Sequence, residues 1–153
     1  MIGDPISERI VQEIVDTLSQ VRQASGFFND LIVERENQEG NSPRDNLVVV
    51  CLGDLQSQKI SPMGFDEFLM PVGLIYYAIE PTDSAISISQ RLQRGAADIR
   101  KALAADLHRG GLAINTEMNL HADDYFASAS PYSVLIKPMI RFRTLWNNPY
   151  KQY

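Results

Sequence analysis

Three stretches of the chain hold residue types able to do chemistry. The first is Leu120-His-Ala-Asp-Asp-Tyr125, where His121, Asp123 and Asp124 are metal-ligand types close in sequence. A metal centre needs a further ligand from elsewhere. The one other histidine, His108, falls at the end of an expected helix. The stretch therefore reads as a solvated loop, and no metal is expected. The second is Cys51, inside the apolar run Leu47-Val-Val-Val-Cys-Leu52. A lone cysteine forms no internal disulfide, and a nucleophile needs a base beside it. Cys51 reads as a reduced, buried thiol that packs as a small hydrophobe. No Gly-x-Ser-x-Gly elbow occurs. Gly53, Gly64 and Gly73 suit turns or bulges, not a phosphate loop. With 19 acidic residues in the chain, two carboxylates close in sequence carry little information. No catalytic residue and no cofactor is expected.

The third stretch, 133–153, is suited to contact rather than catalysis. Side chains alternate with period two along a strand. Val134, Ile136, Ile140 and Phe142 thus fall on one face, and Lys137, Arg141 and Arg143 on the other. A polar-aromatic tail, 145–153, follows with Trp146, Pro149 and Tyr150. A row of cations can simply guard a sheet edge against stray pairing. It can also orient a partner. The large aromatics favour docking, because a wet, flexible tail has little use for them. Lys137, Arg141, Arg143, Trp146, Pro149 and Tyr150 are the candidate interface.

At 153 residues, one domain spanning 1–153 is expected. Apolar residues make up 44%, enough for a core. The formal net charge of −5 argues against nucleic acid as a held partner, since phosphate binding wants clustered Lys and Arg. Met1-Ile-Gly-Asp-Pro lacks a basic region followed by an apolar run, so no secretory signal is read there. No apolar run is long enough for a membrane span. Synthesis inside a cell is the expectation.

Those residues need elements to position them. Asp4 and Pro5 suit a helix start. Ile10, Val11, Ile14, Val15, Leu18 and Val21 recur at three- and four-residue spacing, one arc at about 100° per residue, and Gly26 is the expected stop. Residues 31–35 read as a short strand and 36–46 as a polar loop. The run 47–52 is apolar throughout, as in a strand covered on both faces. A second long loop, 53–66, precedes a strand at 67–79. That strand carries Leu69, Ile75, Tyr77 and Ile79 on one face and Met70, Val72, Leu74 and Tyr76 on the other. Pro71 and Gly73 point to a bulge or an edge. Pro81-Thr-Asp-Ser84 is the expected cap of a second helix. Its stripe is Ile88, Leu92, Ala96, Ile99, Leu103 and Leu107, with Arg109 in the last turn and Gly110-Gly111 as the stop. Residues 112–120 read as a strand, 121–130 as a loop, and a final strand starts near Tyr132. The order α-β-β-β-α-β-β predicts an α+β fold: a mostly antiparallel sheet with two amphipathic helices on one face. That leaves the second apolar face of 47–52 and 67–79 without cover, which argues for a sheet curled on itself or for another subunit.

The ordered layout resembles the tail-terminator and tail-completion proteins of long-tailed bacteriophages, the neck or tail-to-head joining family. The likeness runs along nearly the whole chain. It rests on the N-terminal helix, the strand Val48-Val-Val-Cys-Leu-Gly-Asp54, the strand Leu74-Ile-Tyr-Tyr-Ala-Ile79 and the helix holding Ile99-Arg-Lys-Ala-Leu103 with its double-glycine stop. The ending Val134-Leu-Ile-Lys-Pro-Met-Ile-Arg-Phe-Arg-Thr144, followed by Asn148-Pro-Tyr150, is similar to that family's closing strand, with Phe142 in the aromatic place and Asn148 in the acidic one. The length of loops 36–46 and 53–66 departs from the pattern. The resemblance implies a structural virion protein without catalysis. It would be assembled in the host cytoplasm into a ring, commonly a hexamer, on top of the tail tube. Its partners would be other copies, the tail tube protein and the head connector. DNA would pass through the lumen without specific binding, and no membrane is involved. A head-completion or stopper protein is the neighbouring alternative, and a small enzyme with an unrecognised site is a third.

Overall fold

A computed structural model describes residues 3–61, 63–79 and 85–153. Among the described residues the chain is α+β, with two α-helices and a nine-stranded, mostly antiparallel sheet. Helix α1 (Ile6–Ser19) starts from Pro5 at the cap position, so Asp4 does not cap it. It buries Ile6, Ile10, Val11, Ile14 and Leu18. It ends earlier than its apolar spacing suggests because the chain turns toward the sheet. Val21 is buried beyond the helix, its carbonyl accepts the Leu31 N–H at 3.2 Å, and Arg22 clamps the carbonyls of Val21 and Leu31. Gly26, at φ 86°, closes a separate single turn of 3-10 helix, Gln23–Ser25. A side chain would be strained in that left-handed conformation.

Helix α2 (Ile88–Ala104) opens on a capping box. The Ser87 hydroxyl accepts the Gln90 N–H at 3.2 Å, and the Gln90 side chain accepts the Ser87 N–H at 3.1 Å. The expected cap at 81–84 lies outside the described residues. α2 buries Leu92, Ala96, Ile99 and Leu103 as the spacing predicts. Leu107 lies beyond its end and is exposed. Arg109 is not in a last helical turn. It sits in a left-handed turn at φ 50° and is fully buried.

The sheet is organised on one long strand, β4 (Phe65–Ala78). Its first half lies between β3 (Gln56–Ser61) and β8 (Met139–Leu145), and its second half between β2 (Leu47–Leu52) and β7 (Tyr132–Ile136). The change of neighbours falls at Pro71, where a missing N–H is tolerated. The Pro71 carbonyl accepts the Gly53 N–H at 2.9 Å, and Val72 donates to the Pro138 carbonyl at 3.0 Å. Outside these lie β1 (Ile32–Arg35), β5 (Asn115–Glu117), β6 (Asp124–Phe126) and β9 (Asn148–Gln152). β1 pairs with β2 in parallel, an exception to the antiparallel rule of the sheet.

Several expectations are corrected. The loop 53–66 contains strand β3, and the loop 121–130 contains β6. The strand expected from Tyr132 onward is two strands, β7 and β8, separated at Lys137-Pro138. The expected tail is a strand, because β9 folds back on β8 through a tight turn at Trp146-Asn147. α1 approaches α2, β1, β2 and β9, while α2 approaches β4 and β7. One buried cluster joins the stripes of both helices to Val48, Val50, Met70, Val72, Leu74, Tyr76, Val134, Ile136, Ile140 and Phe142. Ile14 and Leu103, expected in the core, are both fully buried in it.

Candidate docking surface

The alternation read for the last strand holds. Val134, Ile136, Ile140 and Phe142 are buried, while Lys137, Arg141 and Arg143 stand on the other side, half-exposed. Those cations have acidic partners. Glu67, on β4, accepts hydrogen bonds from Arg141 at 3.0 Å and Arg143 at 2.9 Å. Arg141 also lies 3.6 Å from Glu117. Lys137 pairs with Asp124 of β6 at 2.6 Å. The Arg143 guanidinium lies 4.4 Å from the Phe65 ring centroid. Burial acts to raise the Glu67 carboxyl pKa. The hydrogen bonds from Arg143 and then Arg141 outweigh it and hold the group below the ordinary glutamate range. The basic face is thus a set of paired charges rather than an open cationic stripe. Sequence reading missed Glu67. The signal lies in the β4–β8 register, which sets Glu67 opposite Arg143 and Leu69 opposite Arg141.

The aromatics of the candidate interface group differently. Trp146 is 60% exposed at the turn between β8 and β9. Its N–H donates to the Gly64 carbonyl at 3.0 Å, and the Asn147 N–H donates to Asp66 at 3.1 Å. Two turns are therefore tied together at one end of the sheet, the one before β4 and the one after β8. Met63, 77% exposed, stands on the first of them. Pro149 and Tyr150 are exposed along β9. Tyr153 folds back, its ring 4.7 Å from that of Phe65.

A second surface is set by cross-strand register. Ile32, Leu47, Tyr77 and Ser133 form one row across β1, β2, β4 and β7, and Glu34, Val49, Ile75, Leu135 and Asp124 form the next across β1, β2, β4, β7 and β6. Phe126 of β6 faces Ser133. Leu47 and Val49 are buried, yet neither belongs to the cluster shared with the helices. Ile75, Tyr77 and Leu135 are half-buried, and Ile32 and Phe126 are exposed. The strand at 47–52 and the second half of β4 are apolar on both faces, while the first half of β4, within the strand expected at 67–79, carries Glu67 on the face of Arg141 and Arg143.

The stretches weighed for chemistry are spoken for. Asp123 pairs with Arg100, and Asp124 with Lys137. His121 is exposed. Among the described residues no group of three His, Cys, Asp or Glu is placed to hold a metal ion. Burial, then the neighbouring Glu36, pushes the Cys51 thiol up to about 11, so it stays protonated and weakly nucleophilic at neutral pH. No described helix is long and apolar enough to cross a membrane. No protein-family model matches the chain, and no curated protein sequence matches it.

Proposed function

We propose that this chain is a structural virion protein of the bacteriophage neck. Copies form a ring on top of the tail tube, end its growth and join tail to head. The observation that carries this reading is the sheet face turned away from the helical cluster. Its centre is Leu47, Val49, Ile75, Tyr77 and Leu135 on β2, β4 and β7, with the exposed Ile32 and Phe126 at its two edges and the charged Glu34 and Asp124 beside them. A contiguous apolar face of this kind marks a contact site. A heterologous contact repeated by rotation closes a ring. The two helices lie side by side on the opposite face, which the cluster shared by their stripes supports. The C-terminal strand β9, with Pro149 and Tyr150 exposed along it, supplies the joint to the head. The net charge of −5 suits a conduit through which DNA slides without sticking.

The test is electron microscopy of particles made without this protein. Tails and filled heads should accumulate apart, and tubes should vary in length. Joined particles of normal length and infectivity would overturn the assignment. Heads that leak DNA while tail length stays fixed would move the protein to the head-completion side of the neck.

A further inference from the structure

Trp146 is a large aromatic held out on a fixed support. The backbone N–H groups of Trp146 and Asn147 donate to the Gly64 carbonyl and the Asp66 carboxylate and set the turn, so little conformational freedom is left to lose on binding. The same chain carries a receptacle elsewhere. A groove of about 410 Å³ opens between the C-terminal ends of α1 and α2. Val21, Phe27, Ala102 and Ala105 line it with the polar Thr17, Gln20 and Ser25, and so does Lys101, whose ammonium donates to the Gly26 carbonyl at 2.7 Å. The alanines leave room that larger side chains would fill. The Lys101 ammonium lies 4.7 Å from the Phe27 ring centroid, and no acidic residue lines the groove. A lysine cation in the wall of a cleft favours an electron-rich ring, and indole is the best of these. Asp66, at the start of β4 beside that turn, accepts the Asn147 N–H with its carboxylate and complements Lys101 in sign.

We propose that the Trp146 turn of one copy seats in the α1–α2 groove of the next. This rests on the ring reading and names the partner of the C-terminal turn as a second copy of this chain. The two surfaces differ, so the contact is head-to-tail and repeats around a ring instead of closing a two-fold dimer.

The test uses sedimentation velocity of the full chain over a wide concentration range, with thermal melts to verify folding. Trp146→Ala removes the knob. Ala105→Trp fills the groove from an exposed position. Each should weaken self-association by at least about 30-fold, as loss of a buried aromatic anchor does. A mixture of the two variants should recover association that neither shows alone, because one supplies the turn and the other the groove. A wild-type oligomer that neither variant weakens overturns this contact and leaves the ring reading standing. Unchanged self-association with failed joining to heads would assign the turn to the connector and overturn the contact equally. A wild-type chain that is monomeric in solution and present as single, non-touching copies in the particle overturns both.

Discussion

Glu67 accepts hydrogen bonds from two arginines of the neighbouring strand while only 8% exposed. Glu67→Gln would leave Arg141 and Arg143 close together without the shared charge. The expected loss is about 1–3 kcal/mol at pH 7, between the values for exposed and buried pairs, because both arginines keep contact with water. The sign with pH follows from the lowered carboxyl pKa. The stabilisation is fully present above the unfolded-state value and is lost as pH falls through the folded one. Denaturant titrations should therefore show the gap between wild type and Glu67→Gln closing as pH falls below the ordinary glutamate range. A gap that stays constant down to pH 2 would mean that the charge of Glu67 is not its source. Gly95 is a second decisive residue. A Cβ there would sit 2.2 Å from the ring of Tyr76, a fully buried side chain whose hydroxyl donates to Asn46 at 2.8 Å. Gly95→Ala must displace that ring, at a cost of about 3 kcal/mol or more despite the better helix propensity of alanine. Thermal melting would show it, and an unchanged or raised Tm would rule out the close packing.

At the scale of elements, strong periodicity was readable and long-range pairing was not. Ile14, Leu18, Leu92, Ile99 and Leu103 were placed in the core by spacing alone, and all are fully buried. Strand β3 was invisible because Gln56–Ser61 has no apolar alternation, and its pairing with β4 is what makes it a strand. The break at Lys137-Pro138 was missed because the apolar alternation continues across it. Arg109 was misplaced for a related reason. A cation near a helix end suits the dipole in the exposed last turn, but here the turn after α2 carries it inward. Its guanidinium donates to the Leu103 carbonyl and reaches Glu13 of α1 at 3.2 Å. It thus caps α2 and ties the two helices together. Arg109→Ala would leave the Leu103 carbonyl and Glu13 without that partner, and also lose buried packing. A loss of about 2–4 kcal/mol is expected by denaturation, below the full figure for a broken buried pair because Glu13 keeps contact with water. A loss under about 1 kcal/mol would show that solvent replaces the contact. The candidate interface was half legible. The alternation that sets Lys137, Arg141 and Arg143 on one face could be read. Their neutralisation by Asp124 and Glu67 depends on which strands lie beside them.

For the whole molecule, the question is what the apolar sheet face meets. A monomer leaving Ile32 and Phe126 exposed at 43% and 56% gains little stability from them. Their replacement should therefore leave the fold nearly unchanged, within about 0.5 kcal/mol. In a ring the same two residues flank the buried middle of a subunit contact, where a charge has no partner and cannot be desolvated cheaply. The double variant Ile32→Lys, Phe126→Lys should thus melt near the wild-type temperature and yet fail to assemble, with tails left unjoined. This differs from Gly95→Ala or Arg109→Ala, which act on the subunit itself and lower its melting temperature first. Two measurements separate the cases: a thermal melt of the isolated chain, and a count of joined particles after complementation. If the double lysine variant joined tails to heads as well as wild type does, the proposed subunit contact through this sheet face would be wrong.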